Sequence, residues 1–215
     1  MSSDSAFGAE PKGSKGRRLI VTAGTLALAL ALSLGARSMR PKALPIYGRI
    51  PDFRLVDERG VTMGASSMLG QVSVVDFIFT RCTSSCPRLT ARMAELQSRL
   101  EHERSGARLV SISVDPENDT PAVLSEYAQR VHADPSRWTF LTGDEQEVER
   151  AVVLGFKVSA AKIARGAGAY DVVHGDWFVV VDGQGQLRGY YQTGDRQAQT
   201  FEVLVKDVLR LEREK

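Results

Sequence analysis

The chain carries two cysteines, Cys82 and Cys86, both within "FIFTRCTSSCPRLTARM" (77–93). A strand-like apolar run stops there and a helix-like pattern begins. Such a pair suits three chemistries: a disulfide staple, a redox couple, or soft ligands to a metal ion. The staple is the weakest, because the stabilisation a disulfide gives grows with the loop it closes. Residues i and i+4 share one helix face, so both sulfurs are able to point to one spot. The positive end of the helix dipole, with Arg81 and Arg88 nearby, predicts lowered thiol pKa values. Thiolate is the reactive form for redox work and for metal binding alike.

Two cysteines exclude a four-cysteine zinc or iron–sulfur site within one chain. Soft sulfur donors suit Cu(I), and a third ligand would naturally be one of three histidines. His102 and His132 each sit at a predicted helix end and read as structural. His174, in "VVHGDW", follows a Gly/Ala-rich stretch and precedes the last hairpin, which makes it the candidate ligand. Asp76 lies in the apolar strand, six residues before Cys82. A bare carboxylate there is costly, so it is predicted to be paired, or protonated with a raised pKa. It reads either as structural or as a proton acceptor for Cys86. Asp115 and Asp119, in "DPENDT" (115–120), are expected to shape a loop near the site.

These residues need a frame. "FRLVDERGVTMG" (53–64) predicts two short strands about a turn. "VSVVDFIFT" (72–80) reads as a buried central strand. From Pro87 to about Arg104, Leu89, Met93, Leu96 and Leu100 recur at helical spacing. "RLVSISV" (108–114) predicts a second buried strand, and Thr120-Pro121 opens a helix that runs to about Val131. "WTFLT" (138–142) predicts a third strand. Asp144 with Glu147 suggests a capping box for a helix to Leu154. Residues 155–172 show no period and read as a loop. "WFVVVDGQGQLRGYYQ" (177–192) predicts a hairpin, and 196–213 an amphipathic helix.

Helices between strands imply parallel pairing, and the hairpin adds an antiparallel pair. The predicted fold class is therefore α/β: a thioredoxin-like mixed sheet flanked by helices. The cysteines then stand at the carboxyl end of a central strand, where open α/β sheets place their sites. Thiol oxidoreductases of that fold generally carry a cis-proline in the segment entering the hairpin. Pro135 is the last proline of this chain, and His174 occupies that neighbourhood. This favours a ligand over a general dithiol exchanger. No pattern suited to a peroxidatic cysteine surrounds Cys82 or Cys86.

The net charge is +2, without a concentrated basic stripe, which disfavours nucleic acid as a partner. The first part of the chain reads differently from the rest. "LIVTAGTLALALALSLGA" (19–36) holds eighteen residues without a charge, flanked by basic residues on both sides. As a helix it spans roughly 27 Å, near a bilayer core. The expected organisation is a cytoplasmic tail (1–16), a single transmembrane anchor (17–37), a proline-bearing linker (38–50) and an exported domain (51–215).

Four segments together resemble the Sco/SenC family of membrane-anchored copper-binding proteins. "PDFRLVDERG" (51–60) resembles the family's opening. "FIFTRCTSSCP" resembles its F-x-F-T-x-C-x-x-x-C-P motif, and "SVDPENDTP" (113–121) its V-D-P-x-x-D-T-P segment. "VVHGDWFVVVDGQG" is similar to the stretch carrying its third copper ligand. Thr83 stands where the family often has proline, and Val173 and Gly175 flank the histidine in place of the usual Asp and Ser/Thr. The resemblance implies copper, as Cu(I) or also Cu(II), held by Cys82, Cys86 and His174. It implies a domain facing the periplasm or the mitochondrial intermembrane space. The implied role is assembly of the dinuclear copper centre of cytochrome c oxidase subunit II. The resemblance implies that this role is copper delivery, fed by an upstream donor, or reduction of that subunit's cysteines as a thiol-disulfide reductase, or both. In the second case Cys82 and Cys86 are the redox pair, with Asp76 as proton acceptor.

Overall fold

The computed structural model describes residues 43–82, 86–158, 160–166, 169–174, 177–192 and 198–214; of these, residues 160–166, 169–174 and 198 are described by their backbone only. The predicted transmembrane run lies outside them. Among the described residues, no helix is long and apolar enough to cross a membrane.

The strands are β1 (Gly48–Arg49), β2 (Arg54–Asp57), β3 (Thr62–Gly64), β4 (Ser73–Ile78), β5 (Arg108–Ser113) and β6 (Trp138–Thr142). They continue as β7 (Ala160–Gly166), β8 (Ala169–His174), β9 (Trp177–Val181) and β10 (Gln186–Gln192). The helices are α1 (Cys86–His102), α2 (Pro121–Arg130), α3 (Glu145–Glu149, widening into a π turn over Arg150–Gly155) and α4 (Ala198–Arg213). Eight strands form one sheet in the order β1-β10-β9-β4-β5-β6-β2-β3. β4, β5 and β6 pair in parallel through α1 and α2, whereas β9 runs antiparallel to β4. This is the thioredoxin-like mixed sheet expected from the element order.

Every residue of β4 is buried, which explains its unbroken apolar run. Its side chains divide between two cores. Val74 and Ile78 face one core with Leu89, Met93, Leu96 and Leu100 of α1 and Phe201, Leu204 and Val208 of α4. Val75 and Phe77 face the other, with Val148, Val152 and Phe156. The 4-3-4 spacing on α1 is thus one stripe pressed onto the sheet. Thr120 caps α2 by accepting from the Val123 amide at 3.4 Å, and Pro121 follows it. Between β9 and β10, Asp182 Oδ1 accepts the amides of Gln184 and Gln186, both at 2.9 Å. Gly185 there has φ +75°, a value that suits glycine.

Two expectations are corrected. Asp144 does cap α3, accepting from Gln146 N at 2.9 Å. Glu147, however, turns away from the cap and accepts the Arg54 amide of β2 at 3.0 Å, so it ties helix to sheet. The stretch read as a loop holds the hairpin β7–β8, with Ala160 opposite His174. Among the described residues the two strands pair only with each other, apart from the main sheet. Their sequences, AAKIARG and AYDVVH, carry no sustained apolar alternation to announce a strand.

Candidate metal and thiol site

Cys82 leaves the carboxyl end of β4 and Cys86 opens α1. The two are in contact: the Cys86 amide donates to Cys82 Sγ at 3.4 Å, and the Cys82 side chain hydrogen-bonds the Cys86 thiol. Both are thiols in this structure. Their exposure differs. Cys86 is 1% exposed and packs with Phe77 and Phe79, whereas Cys82 is half-buried and lines an open groove of about 590 Å³. Thr80, Pro87, Thr90, Tyr127 and Arg130 are among the residues that line it with Cys82.

The expected lowering of the thiol pKa is not found at Cys86. Burial pushes this thiol up, the neighbouring Cys82 adds to the rise, and a backbone hydrogen bond from Phe79 only partly opposes it. The helix dipole is outweighed because desolvation acts on the whole charge of a thiolate. Arg81 is engaged elsewhere: its Nη2 bonds Asp115 Oδ2 at 3.2 Å.

Asp115 and Asp119 both hold the loop that delivers Cys82. Buried Asp115 takes Arg81 and also accepts from Asn118 Nδ2 at 2.9 Å. Asp119 receives Thr80 N at 3.1 Å, Thr80 Oγ1 at 2.5 Å and Ser113 Oγ at 2.5 Å. Burial raises the Asp119 pKa, and these hydrogen bonds work against it. The loop-shaping role read for both aspartates matches this geometry.

Asp76 is fully buried. Its Oδ1 accepts from Ser111 Oγ at 2.6 Å, and Ser111 Oγ in turn accepts from Trp138 Nε1 at 2.9 Å. Its Oδ2 has no hydrogen-bond partner among the described residues. Burial pushes the pKa of Asp76 up to about 7, with the Ser111 bond pulling the other way. The expectation of a paired carboxylate, or of one with a raised pKa, agrees with the Ser111 bond and the upward shift. Its charge also reaches Cys86, where it raises the thiol pKa further.

The backbone brings Trp177, three residues after His174, to the same end of the sheet. β9 pairs with β4 so that Ser73 faces Val181 and Val75 faces Val179. Continuing that register sets Trp177 beside Phe77, at the end of β4 from which Cys82 emerges. Trp177 packs against the core that contains Cys86, and β8 ends at His174 three residues earlier. The His174 side chain lies outside the described residues. Among those described, no three His, Cys, Asp or Glu side chains gather into a metal-sized cluster. His132 has φ +55° and ends α2, its carbonyl accepting from Gln97 Nε2 at 3.2 Å. That is the structural role read for it.

Ser111, Ser113 and Thr80 were not singled out in the sequence. A signal for two of them existed: Ser111 and Ser113 recur at period two in the buried strand "RLVSISV", so they share one face. Each meets one of the buried carboxylates.

The model of the SCO1/SenC family matches residues 47–209. The chain belongs to the SCO1/SenC family. It is 33% identical over 168 residues to the SCO1 protein homolog of Bacillus subtilis, covering 78% of this chain and 83% of the relative. Among solved structures it is similar to BsSco, described as a member of the Sco family of cytochrome c oxidase assembly proteins, with a disulfide switch. That likeness has 30% identity and a TM-score of 0.70, and covers 82% of this chain and all of the other. Yeast Sco1 with copper bound is similar at 25% identity and a TM-score of 0.61, covering 73% and 87%. The Sco match spans both cysteines, both loop aspartates and His174.

Proposed function

We propose that this chain is a membrane-anchored copper metallochaperone whose cargo is held by Cys82, Cys86 and His174. The acceptor is the dinuclear copper centre of cytochrome c oxidase subunit II. The observation that carries this reading is the adjacent thiol pair at the carboxyl end of β4, with Trp177, three residues after His174, beside Phe77 at that end. Two sulfurs in mutual contact suit a soft monovalent ion, and an imidazole completes a three-ligand set. The relatives carry the same theme: one is solved with copper, another is described as an oxidase assembly protein.

The chain's own residues account for retention and release. Cys86 is the inner donor, fixed by α1 and the core. Cys82 is the outer donor, and it lines the groove by which an acceptor approaches. Handover then proceeds by ligand exchange, with acceptor donors replacing Cys82 first. Residues 17–37 serve as the anchor, with the domain on the periplasmic side of the inner membrane or, in a mitochondrion, facing the intermembrane space. Transfer tests the proposal. Copper-loaded protein mixed with the metal-free soluble domain of the oxidase subunit should lose its metal to it, and a Cys82→Ser variant should not sustain the transfer.

A second reading is favoured by Asp76, whose buried carboxyl has a pKa near 7 and acts electrostatically on Cys86. A carboxylate so poised takes up a thiol proton as Cys86 becomes a nucleophile. The chain would then reduce the acceptor's cysteines as a thiol-disulfide reductase. Turnover of a disulfide substrate that falls in Asp76→Asn supports this reading, and an inert wild type removes it.

A further inference from the structure

Asp119 closes the turn between β5 and α2, where it is fully buried. Its carboxylate receives three donors: Ser113 Oγ, Thr80 Oγ1 and Thr80 N, at 2.5, 2.5 and 3.1 Å. Thr80 comes from a segment 39 residues earlier in the chain. The β4–β5 ladder ends with Val114 N donating to Ile78 O. Thr80 lies past that last rung, and Asp119 supplies the acceptor its amide has left behind. Only Arg81 then separates Thr80 from Cys82, whose amide closes a turn on Phe79 O at 3.2 Å.

The two cysteines are therefore held by different anchors. Cys86 is set by α1 and by burial in the core. Cys82 is set by the path of a short loop, and that path starts at Thr80. We propose that Asp119 is a positioning residue of the copper site. Its three hydrogen bonds pin Thr80, and through Thr80 they hold Cys82 at the spacing from Cys86 that a shared metal ion needs. This rests on the copper reading above. Asp119 acts only through Thr80 and touches no metal. Partners of this kind, one step removed from the ligands, typically change metal affinity about 10–100-fold when mutated.

The test uses the reduced full-length protein and Asp119→Asn, which keeps the side-chain volume but removes the charge and replaces one acceptor oxygen by a donor NH2, so that a hydroxyl of Thr80 or Ser113 must reverse its bond and the charge-assisted bonds weaken. Asp57→Asn is the control. Asp57 is another fully buried carboxylate, accepting the amides of Arg59 and Val61 in the β2–β3 turn. That turn lies at the opposite end of the parallel strands from the cysteines. Three readouts are taken: Cu(I) affinity by chelator competition, the position of the sulfur-to-Cu(II) absorption band, and the alkylation rate of Cys82 in metal-free protein.

Asp119→Asn should bind copper about 10–100-fold more weakly, shift the absorption band and change the alkylation rate several-fold. Asp57→Asn should lose thermal stability while all three readouts stay as in wild type. Wild-type values in Asp119→Asn, or equal losses in Asp57→Asn, would overturn the assignment. If wild type holds no copper yet Asp119→Asn alone alters Cys82 alkylation, the copper reading falls and the hold of Asp119 on Cys82 stands. Should Asp119→Asn fail to fold, Thr80→Val, which removes one of the three bonds, carries the same comparison.

Discussion

Asp76 and Ser111 stand opposite each other in neighbouring parallel strands, and Ser111 Oγ donates to Asp76 Oδ1 at 2.6 Å. The bond satisfies one oxygen and leaves the other buried without a partner among the described residues. This arrangement suits a protonated carboxyl and penalises an ionised one.

A pH dependence follows. The Asp76 pKa rises from 3.8 to about 7 on folding. The stability tied to its proton is fully present below about pH 4 and is lost as pH rises through about 7. Urea melts at pH 5 and pH 8 should show wild type losing stability relative to Asp76→Asn, by an amount on the order of a few kcal/mol. Parallel pH profiles for the two proteins would show that Asp76 is ionised at both pH values.

The two thiols should react unequally. Cys82 lines the groove, whereas Cys86 is buried with its pKa raised. In the metal-free reduced protein, iodoacetamide should modify Cys82 at least about ten times faster than Cys86, as read by mass spectrometry. Equal rates would contradict the burial of Cys86.

The Arg81–Asp115 pair should be worth little from its arginine side. Arg81 is 56% exposed, and solvent screens such a pair. Arg81→Ala should cost no more than about 1 kcal/mol of folding stability. Asp115→Ala should cost more, because it also frees the Asn118 amide at the turn. Chemical denaturation of both variants checks the order, and the reverse order would contradict it.

The sheet and the helices that place the cysteines were legible because β4, α1, β5 and α2 each carry a period or a cap. Leu89 to Leu100 mark a helix stripe, and Thr120-Pro121 marks a helix start. The hairpin β7–β8 was not legible, since its sequences carry no sustained apolar alternation. At the site, the cysteine pair was visible from its spacing. The rise in the Cys86 pKa was not, because it depends on how deeply α1 sinks its first residue into the core. Asp119 was visible as a turn residue. Its partners Thr80 and Ser113 lie on other elements, so the clamp exists only once β4, β5 and the turn are assembled.

Arg188 supplies a prediction at the far end of the sheet. Its Nη1 meets Asp182 Oδ2 at 2.7 Å, with both side chains nearly buried, and its Nη2 donates to Leu44 O at 3.0 Å. Removing one partner of a buried pair leaves an uncompensated charge. Arg188→Ala should lower stability by about 3 kcal/mol and leave copper binding as in wild type. A loss of copper affinity in that variant would link the far end of the sheet to the site.

The most direct test of the copper site is a competitive Cu(I) titration of the reduced protein against a strong chelator, with Cys82→Ser, Cys86→Ser and His174→Ala measured beside wild type. Wild type should retain copper, and each variant should surrender it at far lower chelator concentration. If His174→Ala holds copper as tightly as wild type, the third ligand is wrong. If wild type itself cannot compete, the chain is not a copper carrier of the kind described.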